Sequence, residues 1–220
     1  MIYGYSERGI FNSIIYYLDS KQQQGQPELI GEFLEELGVK GFSSGEYYFT
    51  FLNEQSFSDF GDSDLTIIVK ENENDTKPLA VVFIEGKVKT YDKNYVWKTN
   101  SNSNNLFAGS NIFVQLYYKY LLQKVVNSVD TAVEKDMTTE KANITLDDKF
   151  RIESRKGGRS IGKNGIVIQA CNRIKDAGEK YYYVAILPVV VTNEELIKKY
   201  DEFNENLEEP MKTENVSCVY

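Results

Sequence analysis

The chain contains no histidine, and that absence removes more chemistry than any other feature of its composition. Imidazole-held zinc, Ser-His-Asp or Cys-His nucleophiles and imidazole acid–base catalysis are all excluded. A metal site must then be built from oxygen ligands, which favours magnesium, manganese or calcium. A general base must be a carboxylate, a lysine, a tyrosine or a metal-bound water. Cysteine is scarce: Cys171 and Cys218 in 220 residues make no disulfide framework, so a reducing, cytoplasmic setting is expected. Long apolar runs are missing as well. Those around 79–84 and 184–191 fall far short of the roughly 20 residues that span a bilayer. The opening MIYGYSERG lacks the basic stretch and apolar core of a secretory signal, so no membrane partner is expected.

What is present suits one domain over residues 1–220. Hydrophobic residues at 41% and charged residues at 26% are ordinary for a globular chain of a length that buries a sizeable core. The net charge of −8 argues weakly against nucleic acid, but its distribution argues the other way. Residues 149–175 hold Lys149, Arg151, Arg155, Lys156, Arg159, Lys163, Arg173 and Lys175 against Glu153 alone, so this segment is +7 and the remainder −15. A basic loop and helix on an acidic protein is an electrostatic footprint for phosphate. A solvated loop and helix face is the plainer alternative.

Periodicity predicts a helix over 6–20, with Ser6 as cap, Glu7 in the first turn and Ile10, Phe11, Ile14, Ile15 and Leu18 on the apolar side. A second helix over about 27–37 begins at Pro27 and stops at Gly38. Strand-like segments follow at 46–52, 64–70 and 79–89, with a polar turn at 71–75. An Asn/Ser-rich loop at 99–105 precedes a strong helix over about 106–127. Residues 127–148 read as loop or exposed helix, 166–176 as helix and 181–187 as a buried strand. A last helix starts near Asn193, a candidate cap, and residues 216–220 read as an edge strand. This mixture predicts an α/β (α+β mixed) core, a central mixed sheet flanked by helices.

Three charged residues frame the apolar strands. Asp64 opens the run from Leu65 to Val69, and Glu85-Gly86-Lys87 closes the run from Leu79 to Ile84. Alternation in a strand puts Glu85 and Lys87 on one face and Gly86 on the other. Antiparallel pairing of 64–70 with roughly 79–86 brings Asp64 to Glu85, whereas a tight hairpin is expected to part them. Two carboxylates and an ammonium beside a hydrophobic sheet are costly to bury unless paired or metal-bound. A solvent-facing Glu/Lys pair with a turn aspartate is the bland alternative.

Acid, Glu-x-Lys, then helix, in this order of elements, resembles the PD-(D/E)XK superfamily of restriction-endonuclease-like nucleases. The likeness lies in pattern over about 5–126 plus the strand at 181–187. It implies a restriction-endonuclease-like core and a nuclease cleaving phosphodiester bonds, most expectedly in DNA, with Mg²⁺ or Mn²⁺ as cofactor. It implies Asp64 and Glu85 as metal ligands, the Gly86 carbonyl as a further donor, and Lys87 beside the attacking water. Glu7 falls where many members carry a helical glutamate. Gln115 matches the first position of a Gln-x-x-x-Tyr signature, but Lys119 stands where the tyrosine would be, and Ser63 replaces the proline of the family name. Such enzymes are often homodimers, since two strands call for two sites. A non-catalytic nucleic-acid-binding or assembly module on the same fold is the alternative.

Residues 157–164, GGRSIGKN, nearly match a phosphate-binding loop. Asn164 replaces the magnesium-binding Ser/Thr, and no apolar strand leads into Gly157. A basic loop touching nucleic acid through Arg155, Lys156, Arg159 and Lys163 is the better functional reading, and a plain turn the other. Tyr91, Tyr95 and Trp97 are candidates for base stacking or for core packing.

Overall fold

A computed structural model of the chain describes residues 7–87, 96–97, 110–147, 150, 158–187, 191–205, 207 and 216–219. The first two helices are α1, Glu7–Gln23, and α2, Glu28–Glu36. Strand β1, Tyr48–Ser56, is followed by a 3-10 turn at Ser58–Phe60, by β2, Asp62–Lys70, and by β3, Ala80–Gly86. Then come α3, Ile112–Asn127, α4, Gly165–Ile174, β4, Tyr181–Ile186, α5, Asn193–Asn204, and β5, Val216–Val219.

The five strands form one sheet in the order β1-β2-β3-β4-β5. Pairing is antiparallel from β1 to β3 and parallel from β3 to β5. The change of sense falls where the chain leaves the sheet through α3, because a parallel neighbour needs a crossover rather than a hairpin. The expected mixed sheet flanked by helices is therefore present. The C-terminal strand completes its edge by pairing with β4.

Both faces of the sheet are covered, which is why β2 and β3 read as near-continuous apolar runs. On one face Leu65, Ile67, Val69, Val82 and Ile84 meet Phe11, Leu18, Ile30 and Leu34 of α1 and α2. On the other, Ile68, Val81, Phe83, Tyr183 and Ala185 meet Leu116, Tyr117 and Leu121 of α3 and Val167 and Cys171 of α4. Alternation sends Asp64 to the α3 face with Ile68, and Glu85 there with Phe83.

Helix ends are set locally. After Leu37, Gly38 takes φ +82, its N–H donates to Glu35 O at 2.9 Å and the Val39 N–H to Leu34 O at 2.8 Å. These two bonds satisfy carbonyls that the helix leaves open, and only glycine takes the turn without strain. Helix α3 begins at Ile112, because the Asn111 side chain accepts the Phe113 N–H there; residues 101–109 lie outside the described set. Helix α5 is capped by Thr192 rather than Asn193, in a box closed by Glu195, since its hydroxyl reaches the Glu195 N–H. The segment after α3 carries no regular helix among its described residues 128–147, in keeping with the loop reading, and Val133, Met137 and Leu146 anchor it in the core while much of the rest is exposed. No helix among the described residues is long and apolar enough to cross a membrane.

Candidate active site

The β2–β3 register is Leu65↔Ile84, Ile67↔Val82 and Val69↔Ala80. In an antiparallel pair joined by a short link, the first residue of one strand lies beside the last of the next. The hairpin therefore brings Asp64 to the Glu85–Lys87 end instead of parting them. The Gly86 N–H donates to Asp64 Oδ2 at 2.8 Å.

Burial differs sharply within the group. Asp64 is half-buried, whereas Glu85 is 1% and Lys87 6% exposed. Burial pushes the Glu85 carboxyl up to about 7, opposed mainly by the neighbouring Lys119 charge and reinforced by Asp64. Burial also raises Asp64, against the Gly86 hydrogen bond and the Lys87 and Lys119 charges. Two carboxyls raised by burial in one cluster make it a candidate functional site.

Lys119 is the residue that the sequence reading passed over. It is fully buried on α3, with Nζ 3.2 Å from Glu85 Oε1, 3.0 Å from Phe60 O and 3.0 Å from Asp62 O. The two carbonyl contacts are hydrogen bonds. The contact with Glu85 is a charge contact off the hydrogen-bond axis, and Oε1, buried, accepts no aligned hydrogen bond. A signal for Lys119 exists in the sequence: it lies on the buried stripe Ile112, Leu116, Lys119, Leu122, Val126. A charge at such a position needs a partner inside the protein.

Gly86 is glycine for steric reasons. A Cβ there would lie 2.6 Å from Phe11 Cε2, so the strand end and α1 close only over a bare Cα. On the far side of Asp64 stands Glu54, between the paired positions Asn53↔Leu65 and Gln55↔Ser63, with φ +45. Its charge also raises Asp64, and it pairs with the exposed Arg8. Glu7 is the first residue of α1, and its side chain lies outside the described set. Gln115 stands one turn before Lys119, half-buried, and its Oε1 has no hydrogen-bond partner. Among the described residues no three His, Cys, Asp or Glu side chains gather as a metal set. What is gathered is two carboxylates and two lysines.

The basic segment fares differently. Arg155 and Lys156 lie outside the described residues. Arg159 was expected at a nucleic-acid surface, but it is buried. Its Nε donates to Phe150 O at 2.9 Å, Nη2 to Tyr118 Oη at 2.6 Å and Nη1 to Asp59 O, and the guanidinium stacks 3.7 Å over the Tyr118 ring. Its donors are spent inside the protein. Lys163 is exposed and stands 3.5 Å from Asp136. Within the Gly-rich loop Ile161 is fully buried, its N–H bonds Met137 O at 3.1 Å, and Asn164 caps α4 through the Ile166 N–H. From Gly158 to Asn164 this is a packed connection that ends in a capped helix. Tyr91 and Tyr95 lie outside the described residues, and Trp97 packs against the α3-side core.

No protein-family model, curated protein or solved structure matches the chain.

Proposed function

We propose that the chain is a metal-dependent nuclease on a restriction-endonuclease-like core, hydrolysing phosphodiester bonds, DNA being the preferred substrate. The observation that carries this reading is the meeting of Asp64, Glu85 and Lys87 at adjoining strand ends under α3. Asp64 and Glu85 would hold Mg²⁺ or Mn²⁺, with the Gly86 carbonyl as backbone donor. The residues fit such an ion: both carboxyls resist burial as bare anions, and Glu85 Oε1 lacks an aligned donor. When bound, the ion supplies Lewis acidity and an activated water. Lys87 would orient the attacking water and stabilise charge as it develops on the phosphate. Asp64, the more open acid, would face the substrate side, and Glu85 would anchor the inner side. A homodimer belongs to this reading where both strands of a duplex are cut.

The test is cleavage of linear and circular DNA by the purified chain with Mg²⁺, Mn²⁺ or chelator. Cleavage is expected only with metal, and Glu85→Gln and Lys87→Ala are expected to remove it while leaving the melting transition in place. Equal cleavage by the folded double variant would reject the assignment.

One observation favours a second reading. Lys87 and Lys119 together balance the charge of Asp64 and Glu85 without any metal. A non-catalytic nucleic-acid-binding or assembly module follows if calorimetry finds DNA binding and no Mn²⁺ binding.

A further inference from the structure

A lysine ammonium has three N–H donors and no acceptor. Lys119 directs all of its polar reach at three oxygens: Phe60 O at 3.0 Å, Asp62 O at 3.0 Å and Glu85 Oε1 at 3.2 Å. Two belong to the backbone that leads into β2, on either side of Gly61, which turns at φ +76 and would place a Cβ 3.5 Å from the ammonium. The third belongs to the end of β3. One buried charge therefore ties the start of β2, which carries Asp64 two residues on, to Glu85 and to α3. An ammonium so committed is not free to shuttle protons or to meet a phosphate. It is a fixed cation beside a carboxylate.

Charge counting then bears on how many metal ions fit. Asp64 and Glu85 carry two negative charges, and Lys87 and Lys119 two positive ones. One divalent ion leaves an excess that a singly charged phosphodiester halves. Two divalent ions would double that excess in a site where Glu85 and Lys119 are closed to solvent, and desolvated like charges are strongly unfavourable. Ligand supply points the same way, since Phe60 O, Asp62 O and Glu85 Oε1, the oxygens nearest Lys119, are all taken by its ammonium. Mg²⁺ accepts one or two carboxylates and fills its shell with water, so the pair suffices for one ion while Lys119 holds the neighbouring oxygens.

We propose that Lys119 is a resident cation that stands in for a second metal ion, so that the site takes a single divalent ion per chain. This rests on the metal-dependent reading of Asp64 and Glu85 and makes Lys119 a positioning residue. It does not touch the substrate.

The experiment counts Mn²⁺ bound to the full chain by calorimetry and, independently, by electron paramagnetic resonance, for the wild type, Lys119→Met and Lys119→Arg. Lys119→Gln is the second neutral variant should Lys119→Met lack a cooperative melt, because its amide still donates to the two carbonyls. The wild type is expected to bind one ion per chain. The neutral variant, with a cooperative melt, is expected to bind two, and Lys119→Arg to restore one. Two ions on the wild type, or one on the folded neutral variant, would overturn the proposal while leaving a metal-dependent site intact. No Mn²⁺ on any folded variant would overturn the metal reading and this proposal together.

Discussion

Asp64 Oδ2 accepts the Gly86 N–H at 2.8 Å, and that single bond ties the acid of β2 to the backbone of the Glu-Gly-Lys segment. The bond uses one carboxyl oxygen as an acceptor, a role that does not need the charge. Asp64→Asn therefore keeps an oxygen for Gly86, while Asp64→Ala leaves a partly buried N–H without a partner. The alanine variant is expected to lose about 1–2 kcal/mol in urea unfolding, and the asparagine variant less than about 0.5 kcal/mol. Both are expected to lose cleavage. A stable, inactive Asp64→Asn chain separates the chemistry of this acid from its structural bond.

The buried carboxyls make stability depend on pH in a definite direction. Glu85 in the folded chain lies near 7, above its ordinary 4.5, and Asp64 is raised as well. Folding thus favours the protonated forms. Stability from Glu85 is fully present below about 4.5 and is lost as pH rises through about 7, a change on the order of 3 kcal/mol. Melting of metal-free protein is expected to fall between pH 5 and pH 8, and Glu85→Gln to flatten that slope. Lys119→Met deepens it, because a buried carboxylate that loses its counter-charge costs about 3–5 kcal/mol. A wild-type melting temperature unchanged from pH 5 to pH 8 under chelation would refute this account of Glu85.

The legible and the hidden parts of this site divide by the kind of partner involved. Asp64, Glu85 and Lys87 were legible because they end apolar runs, and runs mark strands. Their meeting follows from antiparallel pairing across a short link, which the 71–79 connection provides. Lys119 was hidden because two of its three partners are backbone carbonyls, at Phe60 and Asp62, which no residue type advertises. Arg159 misled for the same reason: among basic neighbours it reads as surface charge, yet it bonds the distant carbonyls of Asp59 and Phe150. The end of α2 at Gly38 was legible because the turn conformation itself demands glycine. The cap of α5 was misplaced by one residue, since Thr192 and Asn193 are both good caps and the pairing with Glu195 decides between them.

Gly86 offers a steric test of how tightly α1 closes on the site. An alanine Cβ would meet Phe11 Cε2 at 2.6 Å and Cζ at 2.8 Å, and Phe11 is itself buried in the core below the sheet. Gly86→Ala is expected to cost about 1–3 kcal/mol through overpacking. Phe11→Leu withdraws the ring edge, so the double variant should be more stable than the sum of the single losses by about 1 kcal/mol or more. Urea unfolding of the four proteins measures the coupling, and additive losses would mean that the ring yields without cost.

Arg159 and Lys163, two positive residues four apart, should separate cleanly in their effects. Arg159 is bonded at Phe150 O, Asp59 O and Tyr118 Oη and stacked on the Tyr118 ring, a fork that lysine does not reproduce. Arg159→Lys is therefore expected to cost about 2–3 kcal/mol in urea unfolding and to leave the salt dependence of DNA binding unchanged. Lys163 holds a surface pair with Asp136, so its loss is expected to change stability by less than about 1 kcal/mol. If the Gly-rich loop meets phosphate, Lys163→Ala should instead lower DNA affinity and reduce the salt slope by about one. Unfolding curves and DNA titrations at several salt concentrations, on the same two variants, measure both effects. A stable Arg159→Lys protein with weakened DNA binding would return Arg159 to the nucleic-acid surface.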